Sequence, residues 1–358
     1  MTITPLQGNS VDVWYTVCPV PSAIAIAAGR GELQRAFEGT GVNLRTVRTH
    51  ADRKVREAHY DQTQPNLFRE GGNVPPLWAR SQGRNLRLLG LTQLERSSLV
   101  VALPESGIRT PADLKGKRLG IIKRPNDQID HARAHTLRTY LTALAAGGVA
   151  REEVAFVDIL VEKAQVEARP EDGVLSSSAF SVTKLRSVDG LFVKALFQGH
   201  VDAIVVSGGR SSLLALLGGQ IVFDTAAAAD PRDRSIPVLF TVRGELLETN
   251  PDIVTAYVAE NIRSARWAKA NPAEAARYIA RDTGVTEEDV ALGYGPGLAA
   301  RLEPSLAPDL VAAVEHQKNF LLREGFLAAD FPVAEFIAPE PLAAARRLVD
   351  AEDAQRAA

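Results

Sequence analysis

Strand-like and helix-like segments alternate along the first two thirds of the chain, and a chain patterned this way must stack helices on sheets as an α/β protein. Val11 to Val17 is a β-branched and aromatic run with apolar/polar alternation. It leads into Cys18-Pro19-Val20-Pro21 and then Ser22-Ala23-Ile24-Ala25-Ile26-Ala27-Ala28. The spacing predicts a strand, a proline turn and a helix with Ser22 as its N-cap. Cys18 then stands at a strand C-terminus facing a helix start, the place where open α/β sheets bind ligands and where a helix dipole favours a thiolate.

Further strands are predicted at Val42 to Arg48, Leu86 to Leu91, Ser98 to Leu103, Val154 to Leu160, His200 to Val206 and Pro237 to Val242, helices at Pro75 to Arg80, Asp130 to Ala146 and Leu191 to Gln198, and a short helix, a glycine turn and a new strand over Thr110 to Ile122. His59 to Asn73 reads as a polar segment ending in Gly71-Gly72, and residues 163–187 as a loop or hairpin excursion. From Pro251 onward the chain is nearly all helix, with Asn250-Pro251 and Asn271-Pro272 as capped starts.

At roughly 150 residues per domain, 358 residues make about two domains. A crossover near residue 103 and a return at Pro237 to Val242 divide the chain into a first lobe, 1–103 plus 241–358, and a second lobe, 104–240. The phrases Asp113-Leu114-Lys115-Gly116-Lys117 and Gly199-His200-Val201-Asp202-Ala203 resemble those of the sulfonate, nitrate and taurine binding proteins. The resemblance implies a two-lobed type II periplasmic-binding-protein-like α/β fold with a ligand cleft between the lobes and a helical C-terminal third.

Composition removes several function classes. With 41 basic and 43 acidic side chains the net charge is −2, which excludes a dedicated nucleic-acid binder. A single cysteine, Cys18, can form no internal disulfide and no Cys-rich zinc site. His131 and His135 are spaced i, i+4 on a predicted helix, but without an intervening Glu or a third ligand nearby they are read as cleft-lining or exposed, and no metal or cofactor is expected. Met1 to Asn9 carry neither positive charge nor an apolar run, and Ala23 to Ala28 is too short to span a bilayer. A cytoplasmic monomer with no membrane partner is the expectation, and reducing surroundings suit a free thiol.

Three features of the first lobe carry chemistry: Cys18, His59 with Gln64-Pro65, and Arg69-Glu70-Gly71-Gly72. An arginine binds an oxyanion through parallel hydrogen bonds, and a Gly-Gly backbone lets N–H groups approach the same anion. A histidine donates or accepts a proton near neutral pH. Taken singly, Cys18 would be a core residue, His59 a structural histidine, Arg69 a solvated charge and Gly71-Gly72 a turn. Taken together they make an anion site that contains a reactive sulfur.

Cys18-Pro19-Val20-Pro21, His59 with Gln64-Pro65, Arg69, and Gly71-Gly72 before Pro75-Pro76-Leu77 resemble the active-site segments of the 2'-hydroxybiphenyl-2-sulfinate desulfinase family of bacterial dibenzothiophene desulfurisation. The likeness runs without a gap from His59 to Leu77 and more loosely over almost the whole chain, Gln317 to Leu322 included. It implies cofactor-free cleavage of an aryl sulfinate and water to arene and sulfite. By resemblance Cys18 is the catalytic cysteine, His59 its support, and Arg69 with the Gly72 N–H the sulfinate-binding pair, with Gly71 and Gln64 beside them. Cys18 is left with two roles, nucleophile at sulfur or proton donor to the ring carbon. Where the family carries Tyr-Ser-Trp after its Val-Asp-Ala strand, this chain has Val205-Val206-Ser207-Gly208-Gly209, and no tryptophan falls in the second lobe. The resemblance therefore leaves the organic group of the substrate open.

Two other readings share the fold. A non-catalytic sulfonate or small-anion binding protein needs Arg69 and backbone donors but no thiol. An enzyme of thiamine-precursor synthesis calls for histidine and cysteine patterns that this sequence does not show.

Overall fold

Ten strands form two five-stranded mixed sheets in a computed structural model that describes residues 10–94, 98–162, 164–166, 182–207 and 218–358. The first sheet runs β2-β1-β3-β10-β4, from β1 (Val11–Val17), β2 (Val42–Thr46), β3 (Leu67–Gly72), β4 (Leu86–Leu94) and β10 (Ile236–Arg243). The second runs β7-β6-β8-β5-β9, from β5 (Ser98–Ala102), β6 (Arg118–Lys123), β7 (Ala155–Leu160), β8 (Ala203–Ser207) and β9 (Gln220–Asp224). Each sheet has three parallel strands, with its fourth strand, β10 or β5, antiparallel to both neighbours. The apolar runs of β5 and β8 are buried along almost their whole length, as strands covered on both faces must be.

Two strands fall on the other side of the expected division. The expected division puts residues 98–103 in the first lobe, yet β5 pairs with β8 and β9 in the second sheet, so the chain changes sheets between Leu94 and Ser98. The return comes earlier than residue 241, because all of β10 lies between β3 and β4. The segment read as polar, His59 to Asn73, contains β3, a buried inner strand. Most of the expected excursion at 163–187 lies outside the described residues, and a helix already begins at Val182.

Helices α1 (Ala23–Gly29), α2 (Glu32–Phe37), α3 (Arg53–Asp61) and α4 (Val74–Ser81) belong to the first half, and α5 (His131–Gly147) and α6 (Val182–Phe197) to the second. The Ser22 hydroxyl caps α1 by accepting from the Ala25 N–H at 3.3 Å. Asp130 caps α5 through the Arg133 N–H at 2.9 Å, and Gly148 ends that helix in the left-handed region at φ 64°. The C-terminal third is α7 (Gly244–Thr249), α8 (Pro251–Ala270), α9 (Pro272–Thr283), α10 (Glu287–Tyr294), α11 (Pro308–Arg323), α12 (Val333–Phe336) and α13 (Glu340–Ala357).

The first sheet is held by a cluster in which the rings of Phe68 and Tyr257 stack 3.9 Å apart, with Val13, Phe240 and Val258 around them. In the second, Tyr140 of α5 is fully buried and its hydroxyl donates to the Ala203 carbonyl at 2.9 Å, tying helix to sheet. One apolar cluster bridges the two halves: Leu77 of α4 and Leu239 of β10 meet Ile121 of β6 and Leu137 of α5. This contact sets α4 against α5 and fixes how the ends of β3 and β6 face each other. No helix among the described residues is long and apolar enough to cross a membrane.

Candidate active site

β1 and β3 run parallel with Thr16 opposite Arg69, so their C-terminal ends open on the same side. Cys18 is the first residue past β1, and its N–H donates to the Glu70 carbonyl at 2.9 Å, which anchors the turn against β3. Gly71 is required at that point. A Cβ there would run into the Cys18 sulfur and lie 2.6 Å from the Cys18 Cβ.

The third chemical group arrives on α3. His59 is buried in the last turn of that helix, where its Nδ1 lies 2.7 Å from the Thr16 hydroxyl and its Nε2 3.1 Å from the Cys18 Sγ. Arg69 is completely buried and spends its fork on all sides. Its Nε donates to the His59 carbonyl at 2.8 Å, its Nη1 to the Gly72 carbonyl at 3.0 Å and its Nη2 to the Cys18 sulfur at 3.2 Å. The same guanidinium thus fixes the helix that carries the imidazole and touches the thiol, at a depth where hydrogen bonds from a charged donor are strong.

Burial holds the His59 imidazole well below its ordinary range, with the neighbouring Arg69 cation pushing the same way. A neutral imidazole has one donor and one acceptor nitrogen. His59 therefore either accepts from the thiol while donating to Thr16, or donates to the sulfur while accepting from Thr16, and a proton passing along this line exchanges the two arrangements. Arg69 is itself lowered by burial, an effect the sulfur beside it offsets in part. The positive group at the sulfur is this guanidinium. Helix α1 begins only at Ala23, five residues beyond Cys18, and its first turn is capped by Ser22.

Cys18, His59, Arg69 and Gly72 line a cavity of about 240 Å³ between the sheets. Its other wall comes from the second sheet, the end of β6, α5 and α6: Ile122, Arg124, His131, His135, Phe192 and Val206. His131 and His135, spaced i, i+4, both face the cavity; His131 lies stacked with Tyr60 at 5.8 Å and 3.0 Å from the Gln165 Oε1. The one cluster with metal-ligand geometry among the described residues, Asp230, Asp233 and His316, contains neither of them. None of the three tryptophans lines the cavity, whereas Val205, Val206 and Ser207 do; Gly208 and Gly209 lie outside the described residues.

Gln64 is not brought to the site. It lies half-buried in the turn between α3 and β3, away from the lining, while Gln62 two residues earlier is the buried one, accepting from the Thr241 hydroxyl at 3.1 Å. Gly71 sits behind the sulfur rather than in the wall. Thr16, Tyr60, Arg124 and Gln165 also belong to the site or its lining, with no motif in the sequence to mark them. Tyr60 follows His59 directly and Thr16 is two residues before Cys18, but nothing in the sequence shows that Thr16 and His59 meet.

The proteins to which this chain is similar divide between catalysis and binding. The 2'-hydroxybiphenyl-2-sulfinate desulfinases of Rhodococcus erythropolis and Rhodococcus qingshengii are 27% identical over 346 residues, 91% of each chain. A solved structure described as a cysteine-to-serine variant of DszB in complex with biphenyl-2-sulfinic acid aligns with a TM-score of 0.77 at 24% identity, over 94% of this chain and 99% of that one. The alkanesulfonate-binding protein SsuA of Xanthomonas axonopodis pv. citri, bound to MOPS, aligns with a TM-score of 0.61 at 17% identity, over 93% of this chain and all of that one. These structures share the two-lobed periplasmic-binding-protein-like fold expected from the sequence. The family model described as NMT1/THI5 like matches residues 75–275, more than half of the chain, and the chain belongs to that family.

Proposed function

We propose that the protein is a sulfinate desulfinase: a cofactor-free hydrolase that cleaves the carbon–sulfur bond of an aryl sulfinate and releases sulfite. The observation that carries this reading is the Cys18 sulfur held between the His59 Nε2 at 3.1 Å and the Arg69 Nη2 at 3.2 Å at the wall of a cleft between the sheets. A protein that only binds an anion has use for the guanidinium but none for a thiol joined to an imidazole. The desulfinase names of the Rhodococcus relatives support the same conclusion.

In this reading the sulfinate oxygens lie against Arg69 and the Gly72 N–H, which neutralise the charge and direct the ring toward Cys18. The depressed basicity of His59 disfavours an imidazolium, and in this reading the Cys18 thiol is the acid. Its proton moves to the ring carbon bearing sulfur, the carbon–sulfur bond breaks with its electron pair returning to the ring, and sulfur dioxide departs. Arg69 and the imidazole steady the thiolate left behind. Water adds to sulfur dioxide to give bisulfite and a proton, and that proton returns to Cys18 by way of His59. The protein would act as a cytoplasmic monomer on a small anion, with no nucleic-acid or membrane partner.

The test is sulfite release from aryl and alkyl sulfinates by the wild type and by Cys18→Ser. The expected result is turnover by the wild type, and a variant that binds sulfinate but yields no sulfite. Tight binding with no sulfite from any sulfinate would make the protein a binding protein, and full activity in Cys18→Ser would remove the thiol from the mechanism.

A further inference from the structure

The cavity at Cys18 adjoins a second chamber of about 120 Å³, and Gly72, Pro75, His131 and His135 line both. At Gly72 no side chain closes the boundary. A Cβ there would meet no atom of the described residues within 4 Å other than those of its chain neighbours, in contrast to Gly71, where it would strike Cys18. The far end of the chamber reaches solvent at Arg138, Thr142 and Asp233, which are half-buried. The space holds several waters, or one small ion with fewer, since a single water needs about 10–15 Å³ measured this way.

Its polar groups are arranged as donors. The Thr225 hydroxyl accepts from the Ser98 N–H at 2.9 Å and the Ser235 hydroxyl accepts from the Gln93 amide, so each of these buried hydroxyls keeps its own proton to give. Arg138 of α5 donates to Asp233 from Nε at 3.2 Å and from Nη2 at 2.7 Å, and from Nη2 to the Arg232 carbonyl at 2.9 Å, whereas its Nη1 donates to nothing among the described residues. Asp233 is the one carboxylate among the described residues that line the chamber, and it is engaged from a second side by the His316 Nε2 at 3.0 Å. Two hydroxyl protons and a guanidinium N–H remain, a donor set suited to a small oxyanion.

Building on the desulfinase reading, we propose that this chamber is the site of the inorganic product: it supplies the water that adds to sulfur dioxide and receives the resulting bisulfite, which leaves past Arg138 while the arene still fills the cavity. In that reading the sulfinate lies at Gly72, on the boundary. The arene lies against Phe192, Val205 and Val206, an apolar wall that the chamber does not share. Each product then has its own space, and neither has to wait for the other to leave.

The experiment titrates sulfite by calorimetry into Cys18→Ser already saturated with an aryl sulfinate. Sulfite should bind at one further site without displacing the sulfinate. Two variants of that protein alter the chamber alone: Arg138→Gln removes its cation, and Thr142→Leu fills it, with a residue that suits a helix better than threonine and gives up only the bond to the Arg138 carbonyl. Arg138→Gln should weaken sulfite by about tenfold or more, as loss of a charge-assisted hydrogen bond does, and Thr142→Leu should weaken it by taking its space. Unaltered sulfinate affinity in both shows that the fold is intact. With Cys18 present, sulfite should lower kcat without raising KM, and Thr142→Leu should release its first equivalent of arene at the wild-type rate and later ones more slowly. Sulfite that displaces the sulfinate one for one, or that binds equally well in both variants, would overturn the proposal while leaving turnover intact. Absence of sulfite from every sulfinate tried would overturn the desulfinase reading, and the chamber's role as product site with it.

Discussion

Arg69 does more at its position than charge alone requires. Each arm of its fork has a separate partner, the His59 carbonyl, the Gly72 carbonyl and the Cys18 sulfur, so one side chain sets the helix, the strand end and the thiol together. Lysine keeps the charge but has no planar fork. Arg69→Lys should weaken sulfinate binding by about 1.5–3 kcal/mol, the worth of one charge-assisted hydrogen bond, and also lower kcat because His59 loses its tether; a titration of binding beside steady-state kinetics separates the two effects. The imidazole makes a second prediction. An ordinary histidine would protonate near pH 6.5, but burial and Arg69 hold His59 well below that value. kcat/KM should therefore stay level as the pH falls through 6.5 and drop only in more acidic solution, where the protonated ring can no longer relay. An acid limb centred at 6.5 would show that His59 is exposed to water in the working enzyme.

β3 shows at the scale of an element why the site was only partly legible. Its sequence, Leu67-Phe68-Arg69-Glu70-Gly71-Gly72, has two charges and two glycines and reads as a polar turn, yet it is an inner strand with both charged side chains buried. Strand propensity gives way there to chemistry: Arg69 faces the cavity, Gly71 makes room for the sulfur, and Glu70 is buried against α8. The apolar strands β1, β5 and β8 and the capped helices α1 and α5 were readable because their patterns are structural. The wall from α5 was not, since the His131 and His135 spacing looks alike on a metal site, a surface and a cavity lining. Gln165, 34 residues from its partner His131, leaves no trace of that pairing in the sequence. Glu70 gives the element its own test. Burial raises its carboxyl from 4.5 to about 8, with only the Asn261 amide at 2.8 Å and the Ile24 N–H acting against the rise. The folded state then holds a proton that the unfolded chain has released, so the contribution of Glu70 to stability is full below pH 4.5 and is lost as pH rises toward 8, at up to about 1.4 kcal/mol per pH unit. Glu70→Gln, which is never charged, should flatten that slope. An unchanged slope would mean that Glu70 is ionised in the fold.

For the molecule as a whole, the decisive fact is that no single sheet makes the cavity. Cys18, His59 and Arg69 come from the first sheet and α3, whereas Ile122, His131 and Val206 come from the second sheet and the helix packed on it. The apolar cluster joining α4 and β10 to β6 and α5 helps hold the halves together. A ligand that fills the cavity touches both sheets and binds the folded chain alone, so it must raise stability by RT ln(1 + [L]/Kd), about 2.7 kcal/mol at a hundredfold excess over Kd. Cys18→Ser provides the means of measuring this without turnover. Thermal unfolding of that variant with increasing aryl sulfinate should show a melting temperature that climbs with the logarithm of concentration, and adding Arg69→Lys should move the whole curve to higher sulfinate by the factor lost in binding. A melting temperature indifferent to sulfinate at concentrations that saturate binding by calorimetry would place the anion somewhere other than between the sheets. A rise of equal size in the Cys18→Ser/Arg69→Lys double variant at every concentration would show that Arg69 does not hold it.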